Sequence, residues 1–131
     1  MADQKVTDSI FTKIILRQIP ASIRYEDDEF IAIDDIHPAA PIHILLIPKK
    51  PYQQLEEVDV EDEHFHARLL ILARKIAKQV GIADNYKLFM NVGKRVQLIH
   101  HIHMHITGGW PATTKQKDLA ASSKKMHDDG L

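Results

Sequence analysis

His100–Gly109 reads HHIHMHITGG, and within it His101, His103 and His105 alternate with Ile102, Met104 and Ile106. Alternation of period two is the pattern of a β-strand, whose successive side chains point to opposite faces. On a strand rising about 3.3 Å per residue, neighbouring imidazoles of one face stand roughly 6–7 Å apart. The pattern predicts a strand over 98–107 that presents three imidazoles to one open pocket. Ile102, Met104 and Ile106 then pack into a core behind it. Three imidazoles on one face suit either a metal site or a cluster for nucleophilic and acid–base work.

Outward from this stretch, His43–Pro48 (HILLIP) is a nearly continuous apolar run, as expected of a central strand. The loop before it, Asp34–Pro41 (DDIHPAAP), holds two prolines. Upstream, Ser9 is placed to cap a short helix carrying Ile10, Phe11, Ile14 and Ile15, with Pro20 beyond its end. Ser22–Glu26 and Phe30–Ile33 read as strands joined by a turn at Asp27 and Asp28. Downstream, Asp59 is the expected cap of a long helix to about Val80, stopped by Gly81. Its stripe is Phe65, Leu69, Leu72, Ile76 and Val80, widened by Leu70, Ile71, Ala73 and Ala77, a width that fits either a subunit contact or an intramolecular core. His64 and His66, two apart on that helix, point in different directions and read as solvated. Tyr86–Met90 reads as a further strand and 91–97 as a loop. The sum is an α+β domain: an antiparallel sheet of about five strands with one long and one short helix. Residues 1–8 read as a flexible N-terminus, 9–111 as the domain and 112–131 as a polar tail.

The 131-residue chain is 44% hydrophobic and 27% charged, with net charge −1 and no cysteine. Those values fit one globular domain. They do not indicate an electrostatic grip on nucleic acid, and they exclude disulfides and thiolate zinc sites. No apolar run approaches a membrane span and no signal peptide is visible, so the expectation is a soluble cytoplasmic protein.

The segment HIHMHIT at 101–107 closely resembles the histidine-triad motif, in which three histidines alternate with apolar residues. DIHPAAPIH at 35–43, followed by ILLIPKK, resembles the upstream signature of the same family. The early segments around Ile10, Phe11, Pro20 and Tyr25 are similar to its nucleotide-binding branch, and together these cover about residues 9–111. The resemblance implies a homodimer that binds a purine nucleotide of AMP or GMP type and needs no cofactor. It further implies a hydrolase of nucleoside phosphoramidates acting through a nucleotidyl-histidine. His103 would be the nucleophile, His105 would contact the phosphate or leaving group, and His101 and His43 would support them. Asp35 falls where the family places a carboxylate on the ribose, and Asn91 and Gln97 where it places groups near the phosphate. Phe11, Ile36 and Leu45 match apolar positions around the base. The branch commonly has Gly-Gln-Ser before the first histidine; this chain has Val96, Gln97 and Leu98, so Leu98 stands in the phosphate-binding position without a hydroxyl. Lys94 and Arg95 are either phosphate cations or solvated loop charges. Dinucleoside polyphosphate hydrolysis, nucleotide binding with weak catalysis, and a zinc site on the histidines are the other functions to be distinguished.

Overall fold

A computed structural model describes residues 8–116. The element order is α1 (Ile10–Ile15), β1 (Ile23–Glu26), β2 (Phe30–Asp34), β3 (Ile42–Pro48), α2 (Glu63–Gln79), β4 (Tyr86–Phe89) and β5 (Met104–Gly108). The strands form one antiparallel sheet in the order β1-β2-β3-β5-β4. The expected α+β class, five strands and two helices are all present. Residues 117–131 of the expected polar tail, and residues 1–7 of the expected flexible N-terminus, lie outside the described residues.

β3 is apolar at every position but His43 because both faces of the sheet are covered. Phe30, Ala32, Ile44, Leu46 and Ile106 share a core with Phe65, Leu69, Leu72 and Ile76 of α2. Ile31, Ile33, Leu45 and Ile47 share a second core with Phe11 and Ile14 of α1. In register, Leu45 stands opposite His105 and His43 opposite Thr107. The histidines therefore belong to the α1 face, and α2 only backs them. Leu70 and Ile71, which widen the helix stripe, are exposed rather than buried in the core.

Helix ends follow local chemistry. Ser9 Oγ accepts from Thr12 N at 3.1 Å, the cap expected for α1. Arg17, at φ 61°, ends that helix in the left-handed region and pairs with Glu26. α2 begins at Glu63 rather than near Asp59. Asp59 Oδ1 accepts from Glu61 N and so closes its own turn, while Asp62 Oδ1 accepts from Phe65 N. Gly81, at φ 81°, ends α2 as expected. Replacing Ser9 with alanine should cost about 1–2 kcal/mol in denaturant unfolding, because a helix cap and a hydrogen bond to His101 are lost together.

β5 is shorter than expected. It starts at Met104, and residues 101–103 run beside the sheet without pairing to β3. Side chains take the ladder's place: His101 Nε2 donates to Pro48 O at 2.8 Å, and His103 Nδ1 donates to His101 O at 2.7 Å. Ile102 N goes to Tyr52 O instead. Pro48 has no N–H to offer a partner strand.

Candidate active site

Four imidazoles meet on the α1 face. The His103 and His105 ring centroids are 5.1 Å apart, and those of His43 and His105 are also 5.1 Å apart. Phe11 stands edge-on to His101 and His103, and Phe89 stacks on His105 at 4.6 Å with 7° between the planes. The rings gather as expected, but they do not line an open pocket. His101, His103 and His105 are 1%, 3% and 0% exposed.

Hydrogen bonds assign the protons. A backbone carbonyl only accepts, so His101 carries its proton on Nε2, facing Pro48 O, and His103 carries its own on Nδ1, facing His101 O. His101 Nδ1 then accepts from Ser9 Oγ at 3.0 Å, with Thr12 Oγ1 at 3.3 Å. Ala39 N donates to His43 Nδ1 at 3.1 Å, which leaves the proton of His43 on Nε2. That nitrogen lies 2.9 Å from His105 Nδ1, so His105 accepts there and holds its proton on Nε2. Two ring atoms remain buried without a partner: the lone pair of His103 Nε2 and the N–H of His105 Nε2. A nucleophile and a donor thus stand side by side, each with its tautomer held from behind.

Burial favours the neutral form of all four rings. It lowers the pKa of His101, His103 and His43, and takes His105 down to about 3 with help from His103 and His43. Asp35 opposes this at His43 and His103, but desolvation is the larger effect. A neutral imidazole at neutral pH is the form with an attacking lone pair.

Asp35 is buried beside this cluster. Its Oδ1 accepts from His37 N at 2.8 Å, while Oδ2 has no hydrogen bond and lies 3.4 Å from His43 Nε2. Next to it, Phe11, Ile14, Ile33, Leu45, Ile99 and Asp35 help line an apolar cavity of about 290 Å³. Ile36 also lines it from an 80% exposed position at the mouth. The cavity therefore gathers Phe11, Asp35, Ile36 and Leu45 from three separate parts of the chain.

The loop after β4 departs from expectation. Gln97 is buried and bonds only to backbone: Gly93 N donates to its Oε1 at 2.8 Å, and its Nε2 donates to Gln53 O and Ile99 O. Its amide braces the loop and is not presented to a phosphate. Leu98 is 69% exposed and does not line the cavity. Asn91 is half-buried at the start of the loop, while Lys94 and Arg95 are exposed. The sequence reading also missed Phe89, although strand alternation with Lys87 and pairing opposite His105 place it.

Asp35, His43 and His105 each offer a ligand atom within 4.8 Å of the others, the one such group among the described residues. The 2.9 Å contact of His43 with His105 requires a proton between two nitrogens that would otherwise repel. A metal ion would have to replace that proton.

A family model for the HIT domain matches residues 16–111. An uncharacterized HIT-like protein of Synechocystis is 49% identical over 105 residues, covering 79% of this chain and 92% of its own length. The purine nucleoside phosphoramidase of Escherichia coli is 46% identical over 106 residues, covering 79% of this chain and 89% of its own. Among solved structures, a HIT family hydrolase from Clostridium thermocellum superposes with a TM-score of 0.74 at 38% identity, covering 83% of this chain and 96% of its own. With the histidine cluster, the sheet and these matches in agreement, the chain belongs to the HIT domain family.

Proposed function

We propose that the protein is a hydrolase of purine nucleoside 5′-phosphoramidates that works through a nucleotidyl-histidine. The observation that carries this reading is the buried pair of unpartnered ring atoms, a lone pair on His103 Nε2 beside an N–H on His105 Nε2. The named activity of the Escherichia coli relative supports it. The base enters the apolar cavity between Phe11, Ile33 and Leu45, and Asp35 Oδ2 accepts from the ribose hydroxyls. His103 Nε2 attacks the phosphorus, and the P–N bond breaks with its electron pair going to nitrogen. The amine leaves with a proton taken from water. His105 Nε2–H donates to a phosphoryl oxygen throughout, where fixed donors stabilise the charge that develops. Water then displaces His103 from phosphorus, giving the nucleoside monophosphate and releasing a proton. His101 supports the nucleophile through its carbonyl, and His43 fixes the tautomer of His105.

Because both Nε2 atoms are covered, substrate entry requires the residues over them to move. The loop over 91–100 is the segment suited to do so, and Asn91 at its start reaches the phosphate when it opens. No helix among the described residues is long and apolar enough to cross a membrane. A homodimer in the cytoplasm is part of the same reading, supported by exposed Leu70 and Ile71 on α2. The second reading is a metal hydrolase on Asp35, His43 and His105, favoured by their clustered ligand atoms.

The test is turnover of adenosine 5′-phosphoramidate with and without a chelator. We expect AMP release that chelation leaves unchanged. Loss of activity on chelation selects the metal reading, and absence of AMP release under both conditions overturns the phosphoramidase.

A further inference from the structure

His103 stands in a stretch that the sheet does not hold. Ladder pairing of β5 with β3 ends at Met104 opposite Leu46, so His101 and His103 lie beyond it. Bonds to other parts of the chain tie this stretch down. Ile102 N donates to Tyr52 O at 2.9 Å, and His101 Nε2 donates to Pro48 O at 2.8 Å. On its other side the His101 ring meets α1, where Ser9 Oγ lies 3.0 Å and Thr12 Oγ1 3.3 Å from Nδ1. Because Nε2 carries the ring proton, Nδ1 is an acceptor and a hydroxyl must donate to it. Ser9 Oγ also accepts from Thr12 N at 3.1 Å, so its donor and acceptor functions are both engaged. Neither hydroxyl faces the nucleoside cavity. With His101 they line a separate polar recess of about 190 Å³ that Asp8, Gln53 and His100 complete. Neither has a part in the mechanism above.

The carbonyl of His101 is what fixes the His103 ring. His103 Nδ1–H donates to it at 2.7 Å, the bond that leaves the His103 lone pair on Nε2. An imidazole without such a bond divides between two tautomers, and only one of them has its lone pair on Nε2. The His101 ring is braced from two sides, by Pro48 O of β3 and by the hydroxyls of α1. Removing the α1 brace leaves a lone pair without a donor on a side chain that is 1% exposed, and the ring shifts to relieve it. The carbonyl belongs to the same residue, and no ladder pairing keeps that residue in place.

We infer that Ser9 and Thr12 are positioning residues for the nucleophile: through the His101 ring they hold the carbonyl that selects the reactive tautomer of His103. The use of that tautomer in attack rests on the phosphoramidase reading. Phe11, between them on α1, stands edge-on to both rings, with centroids 6.0 Å from His101 and 5.0 Å from His103. The helix therefore meets one histidine by hydrogen bonds and the other by ring contact.

The test removes the hydroxyls and keeps the side chains β-branched. Ser9→Val/Thr12→Val should lower kcat for adenosine 5′-phosphoramidate by about tenfold, the size of one neutral hydrogen bond, with KM changed by less than about twofold. Ser9→Thr/Thr12→Val has the same shape but restores one donor and should recover most of kcat. Loss of the helix cap alone lowers the denaturant midpoint and leaves kcat of the folded protein unchanged. Ring nitrogen NMR shifts of His103 give a second readout that needs no substrate. In the wild type they should show Nδ1 protonated and Nε2 bare, and in the double valine variant the two nitrogens should shift toward each other. If that variant does not fold, Thr12→Val, which keeps the Ser9 cap, should show the same changes with kcat lowered about two- to threefold. Unchanged kcat, a loss that Ser9→Thr/Thr12→Val does not recover, or unchanged His103 shifts overturns the positioning role. A wild type that does not hydrolyse adenosine phosphoramidate fails the function alone, because the ring nitrogens still report whether α1 holds the tautomer.

Discussion

His103→Ala should lose nearly all turnover of adenosine phosphoramidate, by about 10⁴-fold or more, while AMP affinity changes little. The reason is the asymmetry of the His103 ring. Its Nδ1–H is committed to His101 O at 2.7 Å, so its lone pair is at Nε2, and burial keeps that lone pair unprotonated. None of the neighbouring rings offers the same thing. His101 has both nitrogens engaged, with Pro48 O and with the Ser9 and Thr12 hydroxyls. His105 presents an N–H, and His43 spends its Nε2–H on His105. In the proposed function the nucleoside, by contrast, is held by the cavity and Asp35, which His103→Ala leaves in place. A base-quenched single turnover with nucleotide-labelled substrate should leave label on the wild-type chain and none on the variant. Label on His103→Ala, or full turnover by it, removes His103 from the mechanism.

The sheet was legible because its signals are local. The run at 43–48 and the alternation at 101–106 each mark a strand, and Ser9, Gly81 and the prolines punctuate the helices. What was not legible depends on contacts between distant residues. The strand expected from Leu98 starts at Met104 because the His101 ring occupies the carbonyl of Pro48, 53 positions away. Asp59 and Asp62 are equally good caps by type, and only the turn closed by Asp59 shows which one starts the helix. The site divides the same way. Alternation and the resemblance brought forward His101, His103, His105, His43 and Asp35, and these do converge. Gln97 and Leu98 follow the motif in position but not in use, because one is drawn inward by Gln53 O and Gly93 N while the other faces solvent. The burial of both Nε2 atoms has no sequence signal, since the rings that pack on His103 and His105, Phe11 and Phe89, come from distant elements.

The second large effect is on stability in mild acid, which should begin to fall near pH 6.5 rather than near the carboxylate range. Four imidazoles have folded pKa values below 6.5 because burial opposes their charged form. Below pH 6.5 the unfolded chain binds protons at these positions that the folded chain refuses. Stability is therefore fully present above about pH 6.5 and is lost as pH falls, for His105 over a window reaching down to about 3. Each such ring removes up to about 1.4 kcal/mol per pH unit, so several together rival the ~5–15 kcal/mol that hold a domain of this kind folded. The lowered carboxyls of Glu26 and Asp27 add their own loss only at lower pH. Denaturant midpoints should therefore drop between pH 7 and 5, and His105→Gln should flatten that slope by about one proton. A midpoint independent of pH over this range, or a slope unchanged in His105→Gln, refutes the account. While the fold persists, the acid limb of the rate should lie below pH 6.5, because burial lowers the His103 pKa. The same burial that keeps the nucleophile ready for attack is what makes the domain sensitive to acid.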